Sequence, residues 1–363
     1  MGDWKHCKNI LCIRADNMGD VIMSTPAFRA LKETFDCKIT LLTSASGAVI
    51  SEYLDQVDEV MAVDLPWVKY PETGISIDLI GLTQEIKDRQ FDGAIIFTVY
   101  SQSALPAAML VYMAGIPNRL AYCRENPYEL LTDWVPDREP FEMIRHQVER
   151  DLELVSQINA HTTNDELSII YKNEDYLSAT NKLNLFVPES KSWIILHPGV
   201  SEEKRTYPVE YWIETGKMLS EKYRLPLLIT GSKSERNLAD AIAGGIGRCA
   251  LSVAGMLSIG EFIAIVAKAK CVVSVNTSTI HIAAAMKTPQ VVLYAQTNPQ
   301  HTPWKGLYQL LSFSVPEHLQ SKNVIIRHVF NQYYTKYLPC PTPREVVTKL
   351  DELLEKISQN SDS

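Results

Sequence analysis

The sequence predicts an α/β protein made of two Rossmann-like, doubly wound domains. Short apolar runs, typical of buried parallel strands, alternate with amphipathic helical segments along most of the chain. The length of 363 residues fits two domains. A polar stretch at residues 173–192 divides the alternating segments into two sets. Ligands of such sheets bind beyond the carboxyl ends of the strands, and we therefore expect the site in a central cleft that both domains face.

The first domain is predicted to span residues 1–175. Four predicted strands are at residues 10–14, 38–42, 57–63 and 93–97, and three predicted helices are at 77–88, 105–114 and 145–158. A further helix is predicted after the first strand. Prolines punctuate residues 98–150, so we expect this segment to be irregular apart from its helices.

The start of the helix after the first strand depends on Pro26. A polar loop at residues 15–20 follows the strand, and apolar residues then recur at helical spacing. Pro26 fits the first turn of this helix with Thr25 as its cap. Alternatively, Pro26 kinks a helix that begins at Asp20.

The second domain is predicted to span residues 193–341. A linker at 176–192, with a helix at 176–185, precedes it, and a helix with a polar tail at 342–363 follows it. Its predicted strands are at 193–196, 225–230, 250–254, 271–275 and 290–294, and its predicted helices are at 210–222, 234–244, 259–269 and within 276–285. The same alternation therefore occurs twice along the chain.

Composition excludes several classes of protein. The net charge of −8 argues against a nucleic-acid binder held by bulk electrostatics. No signal peptide is visible at the N-terminus, and the apolar stretch at 104–116 is too short to span a bilayer. The seven cysteines form no CxxC pair, which is typical of reduced thiols in a cytoplasmic protein.

The segment 276–285 is the strongest candidate for a binding site. It lies between two strand-like runs, and its turn places the hydroxyls of Thr277, Ser278 and Thr279 at the start of a helix. The first N–H groups of a helix are unpaired and carry the positive end of its dipole, so this turn suits a phosphate. The alternative is that these residues only cap the helix.

Three segments, in this order and spacing, resemble glycosyltransferase family 9, the lipopolysaccharide heptosyltransferase group. The first, at 10–31, contains a strand, the Gly19-Asp20 pair and the Thr-Pro-Ala start of a helix. The second joins His-Pro-Gly at 197–199 to a basic block that ends at Pro208, and the third is the segment 276–285. Weaker agreement includes Thr230-Gly231 with Glu235-Arg236, and residues 146–150.

The resemblance implies the GT-B architecture, with the acceptor on the first domain and the nucleotide-sugar on the second. It implies an inverting transfer of a sugar such as a heptose from a nucleotide-diphosphate donor to a hydroxyl of a glycan or lipid-linked glycan, for example lipopolysaccharide core. The donor is then a co-substrate, with no tightly bound cofactor and no nucleic-acid partner. A cytoplasmic location follows, with at most peripheral contact at the inner face of the plasma membrane.

Site residues follow from the motif positions. Asp20 is the predicted catalytic base, with helix capping as its alternative role and Asp16 as a competing carboxylate that is solvated or structural. The predicted donor and phosphate ligands are Lys204, Arg205, Thr230, Gly231, Asn276, Thr277, Ser278 and His281. The predicted acceptor-side residues are Asn17, Gly19, Ser101, Gln102, Arg145 and His146.

Two departures from the family pattern bear on these roles. Asn276 and Ser278 replace an Asp and a Gly of the family's Asp-Thr-Gly motif, which leaves open a changed donor choice or a loss of activity. The missing carboxylate weakens the case for a metal bound there, so no metal ligand is predicted; the sequence leaves a role for Mg²⁺ open without supporting it. Counting back from Pro208 places Arg205, rather than Lys204, at the usual basic position.

Two other functions are compatible with the same domains. A nucleotide-sugar epimerase or hydrolase would act on the donor without an acceptor. A non-catalytic nucleotide-sugar-binding protein would explain Asn276 and Ser278 as marks of decay. An NAD-dependent oxidoreductase is disfavoured because no GxGxxG follows the first strand.

Overall fold

The computed structural model describes residues 2–68, 77–183 and 192–361. The chain forms two compact units, Met1–Ser168 and Ile169–Ser363. Each unit contains one six-stranded parallel sheet. Within the described ranges, no helix combines the length and the apolar character needed to cross a bilayer.

The first unit alternates strands and helices as the sequence predicts. Its strands are β1 (Asn9–Ile13), β2 (Lys38–Thr43), β3 (Glu59–Ala62), β4 (Gly93–Ile96), β5 (Asn118–Cys123) and β6 (Asp133–Pro136). Its helices are α1 (Met18–Met23), α2 (Thr25–Phe35), α3 (Ala45–Ala48), α4 (Leu79–Asp88), α5 (Leu105–Met113) and α6 (Gln147–Ser156). The strand order is β3-β2-β1-β4-β5-β6, so the order reverses between β1 and β4.

The central strands are buried because helices cover both faces of the sheet. In β1, the last four of five residues are buried, which is why an uninterrupted apolar run marks this strand. Ile10 of β1 lies opposite Ile39 on one side and Gly93 on the other. The tryptophan ring of Trp4 covers Gly93, where a Cβ atom would come within 2.5 Å of the ring.

The helix after β1 differs from its prediction. Two helices occur, since α1 already begins at Met18 and ends before Ser24. Pro26 lies in the first turn of α2, as predicted, because the missing N–H of proline is harmless there. The predicted cap was wrong: Ser24 precedes the helix, whereas Thr25 is helical and donates its hydroxyl to the Ile22 carbonyl at 2.8 Å.

The segment predicted to be irregular contains two strands, β5 and β6. β6 is the edge strand of the sheet, where Pro136 can sit without breaking a ladder on its free side. Only alternate residues of β6 are even partly buried. Half-exposed residues concealed β6 from a reading based on apolar runs, whereas β5, with its last four residues buried, was missed because prolines on either side favoured an irregular segment.

The second unit repeats the arrangement of the first. Its strands are β7 (Ile194–His197), β8 (Leu227–Ile229), β9 (Ala250–Ser252), β10 (Cys271–Val275), β11 (Gln290–Ala295) and β12 (Tyr308–Phe313). Its helices are α7 (Asn173–Leu183), α8 (Val209–Tyr223), α9 (Arg236–Ile246), α10 (Ile259–Lys268), α11 (Ser278–Ala285), α12 (Val324–Tyr333) and α13 (Pro343–Ser361). The order β12-β11-β10-β7-β8-β9 reverses between β10 and β7.

Two elements of this unit have no predicted counterpart, β12 and α12. β12 is an edge strand with five partly buried residues, so it lacks a continuous buried run. The helix predicted at 176–185 is α7, although residues 184–191 lie outside the described part. Ser178 and Lys182 bond Glu261 of α10 at 2.5 and 2.7 Å, and α7 thus packs within the second unit.

Candidate functional site

A buried guanidinium lies at the carboxyl end of β1 in the first unit. Arg14 has no exposed surface and lies near two carboxylates, with Nε 3.4 Å from Asp16 and Nη2 3.2 Å from Asp20. A third buried carboxylate, Asp151 of α6, accepts a hydrogen bond from Ser24 at 2.6 Å. Among the described residues, Arg14 Nη1 has no hydrogen-bond partner. Arg14 thus compensates several acids at the point where the strand order reverses.

Asp20, the predicted base, sits in the first turn of α1. Its Oδ1 accepts from Arg14, and its Oδ2 accepts from the Asn17 backbone N–H at 3.3 Å. This second contact belongs to a capping box, so the alternative role in helix capping is present. The two roles are compatible, because capping fixes the carboxylate at the edge of the sheet. Its side chain keeps 13% of its surface exposed.

Asp16 occupies a more enclosed position than the sequence suggested. The Gln102 side-chain amide donates to Asp16 Oδ1 at 2.6 Å, and its oxygen Oε1 accepts from the Val99 N–H at 3.1 Å. Burial raises the pKa of the Asp16 carboxyl to about 6, Arg14 lowers it, and the Asp20 charge raises it further. Two neighbouring carboxylates therefore have different environments.

The predicted acceptor-side residues fall into three places. Ser101 and Gln102 line a pocket of about 180 Å³ beside the ends of β1 and β4. Asn17 is exposed and caps α1, while Gly19 is buried within that helix. Arg145 and His146 lie at the start of α6 and outside the lining of this pocket.

The residues at the start of α6 are engaged in structural contacts. Arg145 lies 3.3 Å from Glu139, and the His146 ring accepts from the Val148 N–H at 3.2 Å, which caps the helix. Arg150 of the same helix is buried, pairs with Asp137 at 2.8 Å and lies over the Tyr122 ring. The charged residues in this part of the chain thus pair with one another within the first unit. The acceptor-side role of Arg145 and His146 stays a prediction.

In the second unit, basic side chains gather beyond β7 and β10. Arg205 donates from Nη1 to the Asn276 carbonyl at 3.1 Å, linking two segments that are 71 residues apart. Its Nη2 lies 2.6 Å from Glu202, and Lys204 lies 2.8 Å from the same carboxylate. Burial opposes ionisation of Glu202, yet Arg205 and Lys204 together hold its pKa below the ordinary value. Both cations are therefore paired with the Glu202 carboxylate.

The start of α11 lies next to Arg205. Thr277 is the residue before the helix and Ser278 is its first residue, so the free N–H groups of the first turn lie here. Within the described part of the chain, Thr277 Oγ1 and Arg205 Nε are buried without a hydrogen-bond partner. Buried polar atoms in this state are uncommon and suit a ligand with several acceptor oxygens.

The side chain of Asn276, just after β10, is bonded to the end of β11. Its amide nitrogen donates to the Ala295 carbonyl at 3.4 Å and to the Thr297 hydroxyl at 3.1 Å. Its amide oxygen accepts from the Ala295 N–H at 3.2 Å. The side chain is thus used within the unit, and it is the backbone carbonyl of Asn276 that contacts the basic cluster. Donor binding by Asn276 stays a prediction.

The end of β7 carries a histidine that the sequence reading did not assign to the site. His197 Nδ1 lies 2.8 Å from the hydroxyl of Thr230, which follows β8. Burial lowers the pKa of His197 to about 4, against the opposing charge of Glu235. This shift favours the neutral ring near pH 7. At Gly199 a Cβ atom would lie 2.3 Å from the Glu235 carboxyl group, so a side chain there would displace Glu235.

The remaining predicted donor residues lie on the same edge or behind it. Gly231 follows Thr230, and its carbonyl accepts from the Gly255 N–H at 2.9 Å. His281 is buried on α11, one turn from the helix start. No group of three or more His, Cys, Asp or Glu side chains in the described ranges is arranged to hold a metal ion.

Sequence reasoning missed contacts between distant residues. Gln102 and Asp16 are 86 residues apart, and no local pattern joins them. Glu202 carried a weak signal, because it lies two residues before the basic pair Lys204-Arg205. Trp67 also lines the pocket of the first unit and follows β3, another strand whose carboxyl end reaches this edge.

Comparison with known proteins agrees with this arrangement. The family model for glycosyltransferase family 9 (heptosyltransferase) matches residues 80–328. The chain is 23% identical over 371 residues to lipooligosaccharide heptosyltransferase 2 of Haemophilus influenzae, covering 96% of this chain and all of the relative (100%). The family match thus extends over more than half of the sequence.

Solved structures show the same fold. A glycosyl transferase family 9 protein from Veillonella parvula superposes with a TM-score of 0.77 at 17% identity, covering 98% of this chain and 99% of that one. The ADP-heptose lps heptosyltransferase II of E. coli gives 0.72 at 19% identity, covering 96% and 99%. These likenesses confirm the predicted α/β fold of GT-B type. The chain therefore belongs to glycosyltransferase family 9 (heptosyltransferase), and it is a glycosyltransferase.

Proposed function

We propose that the second unit holds a nucleotide-diphosphate sugar and that the first unit holds the glycan hydroxyl that receives the sugar. The observation that carries this proposal is the cluster of Arg205, Lys204 and the α11 start at the carboxyl edge of the second sheet. The similar E. coli protein is named for ADP-heptose and lipopolysaccharide, and the H. influenzae relative for lipooligosaccharide. An ADP-heptose donor and a lipopolysaccharide-core or other lipid-linked acceptor are thus our proposed substrates.

On the donor side, the diphosphate would take the place of the Glu202 carboxylate on Arg205 and Lys204. The unpartnered Arg205 Nε and Thr277 Oγ1 supply two further donors without any rearrangement of the sheet. Charge-assisted bonds of this kind are about twice as strong as neutral ones. The same groups would stabilise the negative charge that grows on the diphosphate as it leaves.

On the acceptor side, Asp20 is the proposed base. As the acceptor oxygen bonds to the anomeric carbon, its proton passes to the Asp20 carboxylate. The bond from that carbon to the diphosphate oxygen breaks at the same time, and the nucleoside diphosphate leaves with the electron pair. Attack opposite the leaving group inverts the anomeric centre. Arg14 holds the carboxylate for this task.

The proposed setting is the cytoplasm, with at most peripheral contact at the inner face of the plasma membrane. The seven cysteines support this setting, since all of them are free thiols in the structure.

Two substitutions test the proposal. Asp20→Asn should lower kcat by about 10²- to 10⁴-fold, the usual contribution of a general base, while ADP affinity stays within about twofold. Arg205→Ala should weaken ADP binding by about 10- to 100-fold, the loss expected for a hydrogen bond to a charged group. Turnover of ADP-heptose and calorimetric titration with ADP, each with and without Mg²⁺, measure both effects.

Arg248→Ala is the matched control, because Arg248 is an exposed arginine of the same unit. It should leave ADP affinity and turnover unchanged. Full turnover in Asp20→Asn would remove Asp20 from the mechanism. Unchanged ADP affinity in Arg205→Ala would move the donor site away from this edge.

A further inference from the structure

The pocket of the first unit has the lining of a saccharide subsite. It lies where the strand order reverses, and its polar lining residues are Asp16, Thr98, Ser101, Gln102 and Ser103. Its volume of about 180 Å³ is far above the about 10–15 Å³ that a single water needs. Such a pocket is large enough for a small ligand and has several groups that bond hydroxyls.

Trp67 supplies an apolar face on one side of this pocket. The ring is half-buried and packs against the core of the first unit, which fixes it in place. A large aromatic side chain offers a flat apolar surface at little cost in side-chain entropy. The C–H groups of a sugar ring can pack on such a surface while its hydroxyls meet the polar residues opposite.

Asp16 and Gln102 are held in position for this contact. Gln102 is fixed by bonds at both ends of its amide, to Asp16 at 2.6 Å and from the Val99 N–H at 3.1 Å. Each oxygen of a carboxylate has about two acceptor sites, so Asp16 can accept from a sugar hydroxyl in addition to Gln102. The polar side of the pocket is therefore preorganised.

The carboxylate of Asp16 gives this pocket a charge that bears on whether a charged or an uncharged sugar fits it. Among the described residues that line the pocket, Asp16 alone is ionisable near neutral pH, and none is Lys, Arg or His. The nearby Arg14 is buried, and its charge is compensated by Asp16 and Asp20. Because one Arg14 charge is shared by two carboxylates, the described residues leave a net negative charge here when both are ionised, and this charge would repel a phosphate or carboxylate on the ligand.

We infer that this pocket binds an uncharged, hydroxyl-rich sugar ring of the acceptor and that Asp16 rejects acidic sugars there. The assignment of the ring to the acceptor rests on the proposed function, whereas the binding itself does not. Asp16 thereby determines acceptor specificity. The cluster on the second unit binds an anion, and the pocket of the first unit excludes one.

Binding of simple sugars to the full chain, without any nucleotide, tests this inference. The probes are methyl α-D-mannopyranoside and its 6-carboxylate, methyl α-D-mannopyranosiduronate, which differ in charge and share the ring. Saturation-transfer NMR should show at least about tenfold tighter binding of the uncharged sugar, equal to about 1.4 kcal/mol. In Asp16→Asn this preference should fall below about threefold.

Trp67→Ala should abolish binding of the uncharged sugar. Trp134→Ala is its control, because Trp134 is a partly exposed tryptophan of the same unit that does not line the pocket. Circular dichroism checks that each variant is folded. A preference for the uronate, an unchanged preference in Asp16→Asn, or no binding of either sugar would overturn the inference.

The two proposals fail separately. If Arg205→Ala leaves ADP affinity intact but the mannoside still binds selectively, the donor proposal fails and the sugar pocket stands. If ADP binding depends on Arg205 but neither sugar binds, the pocket assignment fails and the donor site stands.

Discussion

The two units share one strand order, yet the edges where that order reverses carry opposite chemistry. In the first unit, the carboxylates of Asp16 and Asp20 surround a buried arginine. In the second, Lys204 and Arg205 share one carboxylate beside a helix start. The same backbone topology thus places acids at the edge of one sheet and cations at the edge of the other. The difference lies in the side chains beyond the strand ends, where the function of such folds is determined.

The comparison of the two arginines is informative. Arg14 is fully buried and serves the fold, while Arg205 keeps 23% of its side-chain surface exposed. Removing a buried charge leaves its buried partners uncompensated, whereas removing the partly buried Arg205 costs less, because its partner Glu202 is exposed to water. Burial and ion-pair partners therefore indicate whether a charged residue near a site stabilises the fold or is available to a ligand.

The largest expected effect separates these two arginines. Arg14→Met should lower the free energy of unfolding by about 3–5 kcal/mol at pH 7.5, because Asp16, Asp20 and Asp151 lose their counter-charge. Arg205→Met should cost about 1 kcal/mol or less. Urea denaturation followed by tryptophan fluorescence measures both. Equal losses in the two variants would show that burial does not distinguish the arginines.

A smaller effect concerns the pH dependence of the first unit. Burial raises the pKa of Asp16 to about 6, so its neutral form is favoured by folding and the associated stability is lost as pH rises through 6. Asp16→Asn cannot ionise. Its stability relative to the wild type should therefore increase by about 1.4 kcal/mol between pH 5 and pH 7.5. A difference that stays constant across this range in urea denaturation would contradict the assigned pKa.

The smallest effect is expected in the second unit. Burial lowers the pKa of His197 to about 4, so its ring stays neutral between pH 5.5 and pH 8. The affinity for an ADP-sugar, whose two phosphates stay ionised, should change by no more than about twofold across this range. Calorimetric titration at three pH values measures it. A tenfold change would mean that a titrating group contacts the donor.

The order of the elements was predictable because central parallel strands are continuous apolar runs. β1, β10 and β11 are buried along almost their whole length, and each was predicted within about two residues. The edge strands β6 and β12 were not, since partial burial weakens the apolar pattern. Burial is not the whole signal, since the partly buried edge strands β3 and β9 were predicted and β5 was missed although its last four residues are buried.

The features of the candidate site that are local in sequence were predictable. The helix start at 277–278 was visible from its capping residues, whereas the role of Asp20 as a base came from the resemblance of the segment 10–31 to the family and stays a prediction. The contacts of Gln102 with Asp16 and of Arg205 with Asn276 were not, because tertiary folding alone brings them together. The structural role of Arg14 was equally invisible without its burial.

The amide of Asn276 also limits what can replace it. Its nitrogen donates to the Ala295 carbonyl, which cannot reverse its polarity, although the Thr297 hydroxyl can. An ionised aspartate here would bring two oxygens together unless the end of β11 moved. A single Asn276→Asp change is therefore unfavourable, and engineering at this turn needs at least one accompanying change.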